Sequence, residues 1–244
     1  MTLRSISRLC RFAGVLTALA LPVLSVVSFG RATHGGARMT SGGGVGLSFL
    51  RDDRVDVLRE IAERGSGTYL REILVERDSA LARWPDRGDQ PLVVWVQPTS
   101  TVAGWDSTFV FEVASAFREW DALRLPVHFT FTSDSSDADV HVTFIDHFAE
   151  EISGRTNWTR DDSWWITGGD ITLAVYHRGG PILDDDAMHA MTLHEIGHLL
   201  GLDHTVDSTS IMAPKVRVRS LSRADRATAE LLYTLPAGAA GGAR

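Results

Sequence analysis

His194-Glu195-Ile196-Gly197-His198 sets two imidazoles four residues apart with a carboxylate directly after the first, and His204 follows six residues later. Positions i and i+4 of a helix share a face, so the rings of His194 and His198 can reach one metal ion. Glu195 points beside that ion rather than onto it, which leaves its carboxylate free for proton transfer. Gly201 stands where the helix must turn sharply, a conformation open to a residue without a Cβ. The turn would carry His204 back to the metal. Three protein ligands leave the fourth position of a tetrahedral zinc open to water, as a hydrolytic site requires. No cysteine is near enough to close it, since Cys10 is the only one in the chain.

A bare HExxH also arises as a helix with two surface histidines. Here His204, the glycine at the turn and Met212, eight residues beyond His204, must all coincide with it. Leu193, Ile196, Leu199 and Leu200 give the same helix a buried face. The stretch from His194 to Met212 resembles the metzincin signature HExxHxxGxxH with its Met-turn, and in particular that of the matrixin, or matrix-metalloprotease-like, branch. The resemblance implies zinc ligation by His194, His198 and His204, general acid/base work by Glu195, and Met212 beneath the metal. It also implies the fold: an α+β, zincin-like catalytic domain with a twisted mixed five-stranded sheet and about three main helices.

The elements that must position these residues are legible over about the last 150 residues. Leu92 to Gln97 alternates as a strand, Asp106 to Leu125 reads as a helix, Val127 to Thr132 and Ala138 to Ile145 as two more strands, and Leu221 to Tyr233 as a closing helix. Ala138 to Phe144 and Leu221 to Tyr233 are similar to the third strand and last helix of a matrixin. The stretch with Trp158, Trp164 and Trp165 reads as irregular, its tryptophans either covering the core or lining a cleft. Ile171 to Tyr176 reads as the strand before the active-site helix, where in the resembled family an edge strand pairs with an extended peptide substrate. His128 and His141 read as strand residues with local partners. Asn157-Trp158-Thr159 fits a glycosylation sequon.

Two departures from animal matrixins limit the carry-over. The segment between the third strand and the active-site helix is short and lacks the His-x-Asp pattern of the family's structural zinc, so one catalytic zinc is expected and no second. Asp184, Asp185 and Asp186 supply oxygens suited to a hard cation such as calcium, or else an acidic flank for the dipole of the following helix. The cysteine that keeps animal matrixins latent also has no counterpart, because Cys10 lies in the N-terminal apolar segment.

Arg4, Arg8 and Arg11 precede an uncharged run from Phe12 to Gly30, followed by small and polar residues. This pattern reads as a secretory signal over residues 1–31, or as an uncleaved membrane anchor. A Gly-rich linker follows over 32–50, then a helical segment over 51–90 (helices Arg51 to Arg64 and Thr68 to Arg83) that either packs on the rest or acts as a pro-segment. The catalytic domain spans 91–235, and a Gly/Ala-rich tail over 236–244 reads as disordered. The formal net charge is −7, and the four arginines of the signal are its only charges, so removing it would leave about −11. Such an acidic chain has no electrostatic footprint for nucleic acid.

The expected function is therefore a secreted, extracellular zinc endopeptidase acting on polypeptide, in which zinc activates water and Glu195 is the base. A monomer is expected, with membrane contact only if the N-terminal segment stays attached. Two alternatives from other classes are a non-catalytic zinc-binding or adhesion module, against which the intact Glu195 argues, and a zinc hydrolase of a non-peptide amide. Lys215, Arg217 and Arg219, beyond the Met-turn, suggest a preference for acidic side chains.

Overall fold

The computed structural model describes residues 57–77, 80–177 and 179–239, all within the unit Gly43–Arg244. The signal or anchor segment, the Gly-rich linker and the start of the first predicted helix lie outside the described residues. No helix among the described residues is long and apolar enough to cross a membrane.

In chain order the elements are a helix over the described residues 57–64 (α1), α2 (Leu70–Glu76), β1 (Ala80–Leu81), β2 (Leu92–Val96), α3 (Thr108–Asp121), β3 (Phe129–Thr132), a 3-10 turn (Ser135–Asp137) and β4 (Val140–Ile145). There follow β5 (Gly154–Arg160), β6 (Ile166–Ala174), α4 (Asp185–Leu199), α5 (Arg223–Leu232) and β7 (Gly238–Ala239). Five strands form one mixed sheet in the order β3-β2-β4-β6-β5, with β5 alone antiparallel to its neighbour and lying on an edge. The architecture is the α+β fold with a mixed five-stranded sheet that the family resemblance implies, and α3, α4 and α5 are its main helices.

One face of the sheet makes the core. Leu92 and Val94 on β2, Val140 and Val142 on β4, and Ile171 and Leu173 on β6 are fully buried, the two-residue period of a sheet packed on one side. Facing them, α3 buries Phe109, Val113, Ala116, Phe117 and Trp120, a single helical stripe. The same stripe supports α4: the Trp120 indole donates to the Leu193 carbonyl at 3.0 Å. Trp84 donates to the Leu199 carbonyl at 2.9 Å and Tyr233 to that of Leu200 at 3.1 Å, so buried aromatic donors occupy carbonyls at the helix end, where no further turn can.

Four expectations are corrected. Residues 154–160 are a strand, although Gly-Arg-Thr-Asn-Trp-Thr-Arg shows no apolar alternation; its backbone pairs with β6, and Asn157, Thr159 and Arg160 are exposed. Consequently the strand containing Asp170 to Ala174 is interior, between β4 and β5, and the edge on that side of the sheet belongs to β5. The helix expected to run to Arg83 stops at Glu76, after which Ala80–Leu81 pairs antiparallel with Gly238–Ala239. That pairing also gives the start of the Gly/Ala-rich tail a strand partner.

Candidate active site

Helix α4 begins at Asp184, whose carboxylate accepts from the Ala187 amide at 2.8 Å as an N-cap. Thr108 Oγ1 donates to Asp185, and Arg219 pairs with Asp186. The three aspartates thus serve the helix terminus and its contacts, which favours the helix-flank reading over a cation site. Arg219 is turned to that terminus, and of the three basic residues past the Met-turn Lys215 alone lines the cleft.

At the other end of α4, His194, His198 and His204 converge. Their Nε2 atoms are separated by 3.1 Å (His194 to His198), 3.3 Å (His198 to His204) and 3.3 Å (His194 to His204). Zn–N bonds of about 2.0–2.1 Å at the tetrahedral angle place ligand nitrogens about 3.3 Å apart, which is this spacing. Protonation decides what such an approach means. His194 Nδ1 donates to the Ile211 carbonyl at 2.7 Å and His198 Nδ1 to the Leu202 carbonyl at 3.2 Å, and a carbonyl can only accept. Each neutral ring then presents a bare lone pair at Nε2. Burial pushes His194 down to about 4 and, reinforced by the neighbouring imidazoles, His198 down to about 3, so both rings are neutral near pH 7. Lone pairs held face to face repel unless a cation lies between them, and the donor set suits zinc. Among the described residues this is the only group of three or more His, Cys, Asp or Glu side chains arranged to hold a metal ion.

Gly201 makes the turn between His198 and His204. Its φ is +96°, and a Cβ there would meet the Ala82 carbonyl oxygen at 2.0 Å. Both facts demand glycine. Met212 is fully buried against α4, where a Cβ on Gly197 would lie 2.3 Å from its sulfur. The Met-turn holds His194 through the Ile211 carbonyl, and α5 holds the Met-turn. Asp225, at the third position of α5, accepts from the Ile211 amide at 3.0 Å and from Ser210 Oγ, and it forms a capping box with Ser222.

Glu195 stands beside the triad, 3 % exposed. Thr156 Oγ1, on the edge strand β5, donates to Glu195 Oε2 at 2.6 Å. Burial pushes the carboxyl up to about 7, against the lowering effects of the Thr156 hydroxyl and the Arg155 charge. The carboxylate rests on Gly154, where a Cβ would stand 2.3 Å from Oε1. These groups open on a cleft of about 750 Å³ that runs along β5. Trp158 lines the cleft with its face toward the Arg77 guanidinium, whereas Trp164 and Trp165 stack on Arg160 and Arg83.

All five residues singled out in the sequence, His194, Glu195, His198, His204 and Met212, therefore meet in one place. Sequence reasoning missed Thr156, Gly154 and Arg77, none of which carries a local signal. Asp225 was legible in principle from its spacing to Ser222, the Ser-x-x-acid pattern of a helix start.

A mixed sheet with one antiparallel edge strand, laid along a helix that ends in a glycine turn and a third histidine, defines the metzincin class of metallopeptidase domain. Residues 98–234 match the family model described as Matrixin, more than half of the chain, and the chain belongs to the matrixin family. It is 26 % identical over 132 residues to Metalloendoproteinase 1 of Glycine max, covering 47 % of this chain and 41 % of that protein. It is 25 % identical over 181 residues to Metalloendoproteinase 5-MMP of Arabidopsis thaliana, covering 66 % and 47 %. Matrix metalloproteinase-16 of Homo sapiens is 33 % identical over 87 residues, covering 34 % of this chain and 12 % of that protein. The chain spans less than half the length of each of these relatives.

Proposed function

We propose that this protein is a secreted zinc endopeptidase, with His194, His198 and His204 holding one zinc, Glu195 as the general base and Met212 as the floor of the site. The observation that carries the reading is the convergence of three imidazole nitrogens, those of His194 and His198 with bare lone pairs, beside a buried carboxylate, on a cleft bordered by a free strand edge. When bound, zinc supplies a Lewis acid that polarises a carbonyl and brings the pKa of water to about 7.

The remaining chemistry is assigned to the chain itself. The outer edge of β5 offers unpaired backbone groups to an extended polypeptide, which would dock as an added strand. Trp158 and Lys215 flank that track. Glu195 takes a proton from the attacking water as the C–O bond forms and then delivers it to the amide nitrogen, after which the C–N bond breaks and the amine departs. Thr156 orients the carboxylate by its hydroxyl, and Gly154 lets it lie flat against the strand.

Metal removal tests the reading. The full chain, stripped with a zinc chelator, is expected to lose casein cleavage and to recover it when about one zinc per chain is restored. Cleavage indifferent to stripping, or a chain that takes up no zinc, would overturn it. Gly154→Ala probes the seat of Glu195. It is expected to lower kcat/KM by roughly 10- to 100-fold with zinc content unchanged, because a displacement of about 1 Å at a reacting group costs that order of rate. Parent-like turnover would show that the carboxylate has room to yield.

A further inference from the structure

Arg77 is a cation whose side chain is only 11 % exposed, and all three of its guanidinium nitrogens donate to three consecutive residues. Nε donates to Asp203 Oδ2 at 2.9 Å, Nη1 to the Gly201 carbonyl at 2.7 Å and Nη2 to the Leu202 carbonyl at 2.8 Å. Those three residues are the last of the five between the second and third histidines of the triad. Two of the contacts continue directly to the ligands. The Leu202 carbonyl also accepts from His198 Nδ1 at 3.2 Å, and the other oxygen of Asp203 accepts from the His204 amide at 2.8 Å. One guanidinium therefore braces the ring of His198 and the backbone of His204. Trp158 covers its face from β5, with the ring centre 5.4 Å away.

We propose that Arg77 is a positioning residue for the metal ligands, and that the segment delivering it belongs to the working domain rather than to a removable inhibitor; this rests on the reading of the triad as a zinc site. The planar fork is what the role requires, because it meets a carboxylate and two carbonyls at once, whereas a lysine ammonium on the same stem meets them only as a point charge. The segment is anchored as a core element would be. Leu70 and Ile73 of α2 are fully buried, and Glu72 accepts from the Val206 amide at 3.0 Å, securing the loop just after His204. An activation cleavage that released α2 would take the brace away with it.

The test compares the full-length parent with Arg77→Met, Arg77→Lys and Arg83→Met. Arg83 is the control: it is also a buried arginine of this N-terminal region, but its guanidinium donates to the carbonyls of Leu235 and Trp84 and not to those of the ligand turn. The readouts are zinc affinity by chelator competition, the visible spectrum of the cobalt-substituted protein and the unfolding temperature of the stripped protein. Arg77→Met is expected to weaken zinc binding roughly 10- to 100-fold, the usual consequence of losing a group that orients ligands, and to alter the cobalt bands. Arg77→Lys is expected to recover only a small part of the affinity. Arg83→Met is expected to lower the unfolding temperature while keeping the parent's zinc affinity and cobalt spectrum.

Parent-like affinity in a folded Arg77→Met protein would overturn the inference, and so would equal weakening by Arg83→Met. Should Arg77→Met fail to fold, Arg77→Lys carries the same decision, with about tenfold weaker binding expected and parent-like binding fatal. A parent that binds no zinc would instead sink the reading of the triad, a distinct outcome.

Discussion

Glu195→Gln is expected to reduce kcat by about 10²- to 10⁴-fold, the contribution of a positioned general base, while the protein keeps its zinc and its fold. The separation follows from geometry. The ligand atoms belong to His194, His198 and His204, whose Nε2 atoms cluster without Glu195. The amide of Gln is nearly isosteric, and its oxygen can accept the Thr156 hydroxyl that now bonds Oε2 at 2.6 Å. What it cannot do is take a proton from water. Stability should hold or rise, since a neutral amide avoids the cost of keeping a charge 3 % exposed. Peptide cleavage, zinc analysis and thermal unfolding on one preparation decide the matter. Retained turnover would remove Glu195 from the mechanism, and lost zinc would make it part of the metal's support.

The second large effect is expected far from the cleft. Asp225 is fully buried and accepts from four donors: the Ile211 amide at 3.0 Å, the Ser222 amide at 2.7 Å, Tyr69 Oη at 3.1 Å and Ser210 Oγ. Asp225→Ala strands all four in a site that water does not reach. Each buried donor left unpaired costs about 1–3 kcal/mol, and partial relaxation brings the expected total to about 4 kcal/mol. For a domain of this size that lowers the unfolding temperature by roughly 10 °C. Zinc binding should weaken about tenfold as well, because Ile211, held by Asp225, accepts the Nδ1–H of His194. Asp225→Asn keeps one acceptor oxygen but turns an NH2 group toward donors, so an intermediate loss is expected. An Asp225→Ala protein that melts within a degree or two of the parent would show that the Met-turn is held by packing alone.

The site was legible because its first layer is local. The four-residue step between His194 and His198 is a helix period, Gly201 is a turn requirement, and the offsets to His204 and Met212 complete a pattern that chance rarely assembles. The strands and helices with a clear apolar period, β2, β4, α3 and α5, were read for the same reason: their burial repeats within a few residues. The stretch from Arg77 to Leu81 and the edge strand were not. Gly154 to Arg160 alternates no apolar residues, and only its pairing with β6 makes it a strand and places Thr156 and Gly154 against Glu195. The same long-range pairing moved the free edge from the strand of Ile171 to β5. Arg77 reaches its acceptors across more than 120 residues of chain, and Tyr69 reaches Asp225 across 156.

The sequence by itself determined which atoms could hold a metal, because helix periodicity and glycine turns act over one or two turns of chain. Only the tertiary structure decided what braces those atoms and where the open strand edge lies. Burial and partnership of Arg77, Thr156 and Asp225 arise when distant segments close on one another, and no spacing along the chain encodes that directly.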